Sequence, residues 1–214
     1  MIQAIPSGAT NCYLLRPDGG GPAILVDAGT AADQTFLSKL SACLPPQDLA
    51  LVILTHGHYD HVGHAARLQG EYGVPVAIHP GDREMVTQGS LTCPPGRGLL
   101  GGIIRRATLR TVEKSRYTPF TPDRLLAPGP LPGFPGVEVV SLPGHTPGSI
   151  GVVFEGCLLA GDVVMNLPLP ALPWLAEDFP TARKSLTALA GRSFVKIYPG
   201  HGRPIHGAWL DRKR

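Results

Sequence analysis

The sequence predicts a layered α/β fold in which strands and helices alternate. Residues 49–55 form a continuous apolar run rich in branched side chains, which is typical of a strand that is covered on both faces. A helical pattern over residues 60–72 and a second apolar strand at 74–79 follow it directly. Because strand, loop, helix and strand follow one another in this order, the elements are expected to pack as layers on a sheet.

The remaining elements fit this layered arrangement. Residues 11–16 and 23–27 flank a Pro/Gly-rich turn and predict a hairpin. Apolar side chains recur at helical spacing over residues 33–44, and two prolines end that pattern. Further along the chain, the apolar pattern predicts strands at 137–142, 150–154, 157–160 and 194–198 and a helix at 181–189.

The length of 214 residues suits a single domain, 1–214, with a distinct segment at about residues 81–135. This segment is rich in proline and glycine, and its basic cluster consists of Arg105, Arg106, Arg110, Lys114 and Arg116. One interpretation is a solvated insertion with one amphipathic helix near residues 99–112. The other is a lid that faces a substrate, because long irregular insertions in compact domains are often functional.

Composition and charge exclude several classes of protein. No apolar run approaches the roughly 20 residues of a membrane helix, and the N-terminus lacks the pattern of a signal peptide. The net charge of +3 is too small to predict a nucleic-acid or membrane surface. The four cysteines are widely spaced without a C-x-x-C pair, which favours a reducing compartment. We therefore expect a cytoplasmic protein whose partner is a small molecule, while the oligomeric state stays open.

Seven histidines and aspartates stand at the ends of predicted strands, beside glycine. Four of them lie in the hexapeptide H-G-H-Y-D-H after the strand at 49–55, namely His56, His58, Asp60 and His61. The other three each follow a glycine at a later strand end, and they are His145, Asp162 and His201. Loops over a rigid sheet can bring such side chains together, and imidazole with carboxylate is a donor set that Zn²⁺ accepts. The pattern therefore predicts a metal site.

These motifs resemble the metallo-β-lactamase-fold hydrolase superfamily. The similarity covers nearly the whole chain, through TNCYLL, ILVDAGT, H-x-H-x-D-H, PGHTPGS, AGD and YPGHG in the order of that family. The resemblance implies a four-layer αββα sandwich with two divalent metal ions at one edge of the sheets. It implies one metal on His56, His58 and His145. It also implies a second metal on Asp60, His61 and His201, with Asp162 bridging both. Zn²⁺ is the favoured ion, with Fe or Mn as alternatives.

The sequence differs from several branches of this superfamily at single motif positions, and these differences narrow the set of branches that it resembles. The β-lactamases of this fold usually lack the bridging carboxylate, so Asp162 disfavours antibiotic hydrolysis. His58 stands where the flavodiiron branch has Glu. The PGHTPGS motif is most similar to the glyoxalase II and lactonase branches, although no counterpart of the helical C-terminal domain of glyoxalase II follows His201 in this sequence. Persulfide dioxygenases share much of the motif set but use a single iron.

The resemblance implies a dinuclear hydrolase that uses a metal-bound hydroxide on a small thioester, ester or lactone. Asp60 is expected to be catalytic by orienting the hydroxide or moving its proton. The basic cluster would favour an anionic substrate. The alternatives are a phosphodiesterase on the same site, a mononuclear iron persulfide dioxygenase, and a scaffold protein without catalysis.

Three further residues have two interpretations each. Asp27 either orders the loops of the site from outside the ligand set or forms a buried turn. His64, three residues after His61, either supports the ligands or is a partly buried helix histidine. Trp174, with nearby leucines, either forms an apolar wall of the cleft or packs in the core.

Overall fold

The computed structural model describes residues 1–112 and 114–213. Within this part of the chain, six α-helices accompany two six-stranded sheets and one two-stranded sheet. The helices are α1 (Phe36–Cys43), α2 (Tyr59–Val62), α3 (Ala65–Tyr72), α4 (Arg83–Gln88), α5 (Gly98–Val112) and α6 (Phe179–Ala188).

The first sheet has the spatial order β1 to β6. Its strands are β1 (Ile2–Ser7), β2 (Thr10–Leu15), β3 (Ala23–Val26), β4 (Leu49–Ile53), β5 (Val76–Ile78) and β6 (Arg124–Leu125). Strands β1 to β3 pair antiparallel, and β3 to β6 pair parallel. Parallel strands place their carboxyl ends at the same edge, so the loops that follow β3, β4 and β5 lie side by side.

The second sheet has the order β14, β13, β10, β9, β8, β7. Its strands are β7 (Gly129–Pro130), β8 (Val137–Ser141), β9 (Ile150–Phe154), β10 (Cys157–Gly161), β13 (Lys196–Pro199) and β14 (Ile205–His206). Strands β10 and β13 pair parallel, and the other neighbours pair antiparallel. A small hairpin of β11 (Met165–Asn166) and β12 (Pro170–Ala171) follows β10.

The two sheets pack face to face, and alternation along each strand sends side chains to two different core layers. In β2, Tyr13 and Leu15 contact the second sheet, whereas Leu14 contacts the helices on the outer face. Phe36 of α1 is fully buried on the outer face of the first sheet. Leu186 of α6 packs on the outer face of the second sheet. The molecule therefore has the four layers of an αββα sandwich, as the resemblance implied.

Besides short strands that were not predicted (β11, β12 and β14), the structure differs from the sequence pattern in three places. Strand β1 was not predicted. The helix expected over residues 60–72 is two helices, because the N–H groups of Gly63 and His64 donate to the carbonyls of Gly29 and Ala28, at 2.7 and 3.1 Å, and do not continue the helical ladder. A Cβ at position 63 would also collide with the backbone of Ala31. The segment at 81–135 contributes β6 to the first sheet and β7 to the second, so the strands as well as α5 belong to it.

Within the described ranges, none of the helices has the length and apolar character needed to cross a membrane.

Candidate metal centre

The loops after four strands, together with the short helix α2, bring the seven predicted site residues together at one edge of the sandwich. His56 and His58 follow β4, His145 follows β8, Asp162 follows β10, and His201 follows β13. Asp60 and His61 lie on the single turn of α2. Although these positions extend over 146 residues of sequence from 56 to 201, their polar atoms converge.

The convergent atoms form three overlapping groups. Within each group the candidate ligand atoms lie within 4.8 Å of one another. The groups are His56 with His58 and His145, His56 with His61 and Asp162, and Asp60 with His61 and His201. Because the groups share His56 and His61, the residues form one continuous cluster with two ends.

Asp162 lies between the two ends of this cluster. Its Oδ2 is 3.6 Å from Nε2 of His145 and 3.3 Å from Nε2 of His201. Its Oδ1 is 3.5 Å from Nε2 of His61. Because Asp162 contacts both ends of the cluster, its carboxylate lies where it could bridge two cations. The close approach requires glycine at position 200, because a Cβ there would collide with Oδ1 of Asp162.

Four of the five imidazoles are oriented at Nδ1 by a partner outside the seven cluster residues. His145 donates from Nδ1 to the Leu175 carbonyl and His201 donates to the Ala9 carbonyl, both at 2.8 Å, since a carbonyl can only accept. Nδ1 of His61 lies 2.8 Å from the Asp27 carboxylate. Nδ1 of His56 lies 3.1 Å from Oγ1 of Thr55. These partners fix the tautomer and leave Nε2 directed at the cluster, as outer partners of metal-binding histidines do.

Asp27 connects two of the loops. Its carboxylate accepts hydrogen bonds from the backbone N–H of Thr55 at 2.8 Å and from the Thr55 hydroxyl, in addition to its contact with His61. The residue is buried and has a φ of 64°, a left-handed conformation that is uncommon outside glycine. This unfavourable backbone conformation allows one carboxylate to contact both the loop after β4 and helix α2.

The buried atoms at the centre lack protein partners. Nε2 of His56, Nε2 of His61 and Oδ1 of Asp162 are all buried without a hydrogen bond. At the other end of the cluster, Nδ1 of His58 approaches Nε2 of His145 at 2.9 Å. Unpartnered buried polar atoms are costly, and a cation among them would satisfy several at once. The donor set of five imidazoles and two carboxylates therefore fits divalent ions.

The local charges divide the cluster into neutral and charged groups. Burial lowers the pKa of His58 to about 3, with His145 acting in the same direction, and burial also lowers the pKa of His56 and His145. Burial opposes the charged form of His61 as well, but Asp27 and Asp60 raise its pKa to about 9. For Asp60 and Asp162, burial acts upward on the pKa, yet neighbouring histidines hold it well below the usual range. Two carboxylates thus remain ionised beside three neutral imidazoles, which favours cation binding.

Asp82 was not among the predicted site residues, although it holds two loops of the site together. It is 1% exposed, and its Oδ2 accepts from the Gly57 N–H at 2.8 Å and from the Thr146 hydroxyl at 2.7 Å. Its Oδ1 accepts from the Gly148 N–H at 2.7 Å. Asp82 follows a strand end and a glycine, in His79-Pro80-Gly81-Asp82, so the same pattern that marked Asp162 could have found it.

The other predicted site residues are distributed as follows. The ring of His64 stacks on Phe36 at 5.0 Å, and its Nε2 lies 3.1 Å from the Asp33 carbonyl, so its contacts are with α1 and the loop before it. Trp174 is half-buried and lines a cavity beside the cluster. In the basic cluster, Arg105 donates from Nε to the Pro94 carbonyl, and its four other members are exposed.

The comparison with known proteins establishes the family. The model of the metallo-beta-lactamase superfamily matches residues 5–201, and the chain belongs to that superfamily. An uncharacterized protein of Mycobacterium tuberculosis is 34% identical over 154 residues, which cover 70% of this chain and 63% of the relative. The chain thus spans less than two thirds of that relative.

Two further matches cover more of both chains. Hydroxyacylglutathione hydrolase GloC of Haemophilus influenzae is 28% identical over 212 residues, 94% of this chain and 90% of the relative. The crystal structure of the BLEG-1 B3 metallo-beta-lactamase aligns with a TM-score of 0.72 at 22% identity, over 98% of this chain and 99% of that one. The structural match shows the shared fold, and the chain is a metallo-hydrolase homologue with a candidate His/Asp metal cluster.

Proposed function

We propose that this protein is a dinuclear metal-dependent hydrolase of small thioesters, carboxylic esters or lactones. The observation that carries the proposal is the convergence of seven ligand-type side chains, with buried nitrogen and oxygen atoms that have no protein partner. His56, His58 and His145 would hold one ion, and Asp60, His61 and His201 the other. Asp162, in contact with both ends, would bridge them. The name of the relative GloC supports a thioester, since a hydroxyacylglutathione is one.

When bound, two divalent ions would supply an activated water at neutral pH and polarise the substrate carbonyl. The protein's own groups do the positioning. Oδ2 of Asp60 accepts from the Thr10 hydroxyl at 2.9 Å and lies 3.3 Å from Nε2 of His201. The carboxylate of Asp60, held in place by Thr10, would accept a hydrogen bond from the attacking water and carry its proton toward the leaving group.

Zinc is the ion we propose, because an imidazole-rich donor set with carboxylates suits it. The four cysteines are free thiols, which supports a cytoplasmic location. Phosphodiester hydrolysis and iron-dependent persulfide oxidation are the rival activities, and the same experiment separates them.

The experiment is metal quantification of the purified protein together with a substrate panel of thioesters, esters, lactones, phosphodiesters and persulfides. We expect two zinc ions per chain and hydrolysis of a carboxylic ester or thioester that stops with a chelator and returns with Zn²⁺. One iron per chain with oxygen uptake, or preference for a phosphodiester, would overturn the proposal.

A pair of histidine variants tests the site itself. His58→Ala should lower kcat/KM by at least about 100-fold, since a ligand is lost from the centre. His206→Ala is the matched control, because His206 is exposed on β14, away from the cluster, and its ring accepts a hydrogen bond from the Ala208 N–H. Both variants should show cooperative thermal unfolding, as folded proteins do. Unchanged turnover in His58→Ala would contradict the assignment of His58 as a metal ligand.

A further inference from the structure

A cavity of about 550 Å³ adjoins the candidate metal cluster. Five of the seven cluster residues form its floor, namely His58, Asp60, His145, Asp162 and His201. Its volume lies within the range of about 300–1,000 Å³ that is typical of small-molecule sites. A substrate whose reacting carbonyl lies on the floor must therefore place another part of itself between the walls.

One wall is a single face of helix α5. Leu100, Ile104 and Thr108 line the cavity, and their spacing of four residues places them in one row. Leu100 is 50% exposed and Ile104 is half-buried, so this row of apolar side chains is incompletely covered by the protein. The adjacent residue Ile103 is 57% exposed and does not line the cavity.

A second wall is the loop that follows Asp162. Met165, Leu167 and Trp174 contribute apolar surface, and Leu167 is 48% exposed. Cys93 lies on a third side, and burial raises the pKa of its thiol, which keeps the thiol neutral at physiological pH. The side chains above the floor are thus uncharged.

The charges of the cavity are confined to its floor. Among the described residues that line it, none is lysine or arginine. Arg105, which follows Ile104 in the sequence, does not line the cavity. Its Nε donates to the carbonyl of Pro94, and its charge acts on the Cys93 thiol. Between the apolar side chains of α5 and of the loop after Asp162, an anionic substituent would lose its hydration without a cationic side chain in that lining to pair with, whereas an alkyl group would be buried favourably.

We infer that the cavity between α5 and the loop after Asp162 selects substrates with an uncharged, apolar substituent, and that Ile104 determines this specificity. The part of this inference that concerns hydrolysis rests on the proposed function, whereas the part that concerns binding rests on the cavity alone. It replaces the anionic substrate that the basic cluster predicted with an alkyl or aryl ester or thioester.

Two substrate series test the inference on the purified full-length protein. One holds the thiol constant and lengthens the acyl chain from two to eight carbons, and the other holds an acetyl group constant and lengthens the alcohol. We expect kcat/KM to rise by up to about fourfold per methylene in at least one series until the cavity is filled. Succinyl and glutaryl thioesters, which carry a terminal carboxylate, should be poorer than butyryl and pentanoyl thioesters. A flat response in both series, or preference for the carboxylates, would overturn the inference.

Substitutions on α5 assign the effect to Ile104. Ile104→Ala should reduce the gain per methylene, and Ile103→Ala is the matched control because the same truncation one position away lies outside the cavity. Ile104→Lys should reverse the preference, raising kcat/KM for glutaryl relative to pentanoyl thioester. Equal behaviour of the 103 and 104 variants would contradict the role of Ile104.

A binding measurement separates this inference from the proposed function. Alkyl amides of the same chain lengths resist hydrolysis, and their binding should change the fluorescence of Trp174 with an affinity that increases with chain length. If the amides bind in this way but no ester or thioester is hydrolysed, the proposed function fails and the apolar site stands. If hydrolysis occurs but neither amide affinity nor kcat/KM depends on chain length, the apolar site fails and the proposed function stands.

Discussion

Oγ1 of Thr146 donates a 2.7 Å hydrogen bond to Oδ2 of Asp82, and the same oxygen accepts from the N–H of Gly57. One buried carboxylate therefore joins the loop of His56 and His58 to the loop of His145. The three histidines that converge at one end of the cluster are held in register by a residue that is not among the candidate ligands.

Asp82→Asn should weaken this connection. An amide can accept only at its oxygen, so its NH₂ group would face an N–H or hydroxyl that now donates to the carboxylate. We expect a loss of about 3 kcal/mol in the free energy of unfolding, seen as a fall of roughly 10 °C in Tm, together with weaker metal binding.

Asp178→Asn is the control for this substitution. Asp178 caps α6 by accepting from Thr181 at an exposed position, and asparagine caps helices equally well. Thermal denaturation and metal titration of both variants check the prediction. Equal stability of the two variants would show that Asp82 does not hold the loops.

Asp27→Asn should empty one end of the cluster selectively. The amide NH₂ would face Nδ1 of His61, which would then have to accept and carry its proton on Nε2, the atom directed at Asp162. Metal analysis should give close to one ion per chain in place of two, because the group of His56, His58 and His145 does not depend on that contact. Asp123→Asn is the control, because Asp123 lies away from the cluster and accepts a hydrogen bond from Gln69; this variant should retain both ions. Loss of both ions in Asp27→Asn would show that the two ends do not fill independently.

Metal binding should stabilise the fold measurably. The cluster leaves buried atoms of His56, His61 and Asp162 without partners, and these gain partners only in the bound state. An ion present at 100 times its dissociation constant adds about 2.7 kcal/mol, which corresponds to roughly 5–10 °C in Tm for a chain of this size. Scanning calorimetry with chelator and with Zn²⁺ checks this, and His58→Ala should show a smaller shift. A Tm that is the same in both conditions would indicate that the ions do not bind the folded cluster.

The sequence predicted the layered fold and the seven convergent residues because both depend on local patterns. Apolar runs mark the strands, and a glycine followed by His or Asp at a strand end marks a loop that approaches its neighbours closely. Gly200 illustrates this, since its missing side chain is what allows Asp162 to approach.

The features that escaped prediction depend on contacts between distant parts of the chain. The helix break at Gly63 arises from a hydrogen bond to Gly29, and the orientation of His201 arises from the Ala9 carbonyl, 192 residues away. No local pattern marks such partners. The sequence also could not show whether the basic cluster faces the cavity, because this depends on how α5 is rotated about its axis.

The attachment of α5 to the loop after Asp162 gives the last prediction. Gly101 is buried, and a Cβ there would lie 2.8 Å from the carbon of the Gly96 carbonyl and 3.0 Å from the Trp174 oxygen. Gly101→Ala must therefore move α5 away from Trp174 and widen the cavity, which should raise KM on the order of tenfold with metal content unchanged. The adjacent Gly102 has open space at its Cβ position, so Gly102→Ala should leave KM unchanged and stabilise the helix by about 1 kcal/mol. Steady-state kinetics and metal analysis of the two variants check this, and loss of metal in Gly101→Ala would instead show that the packing of α5 also supports His145 through the neighbouring Leu175 carbonyl.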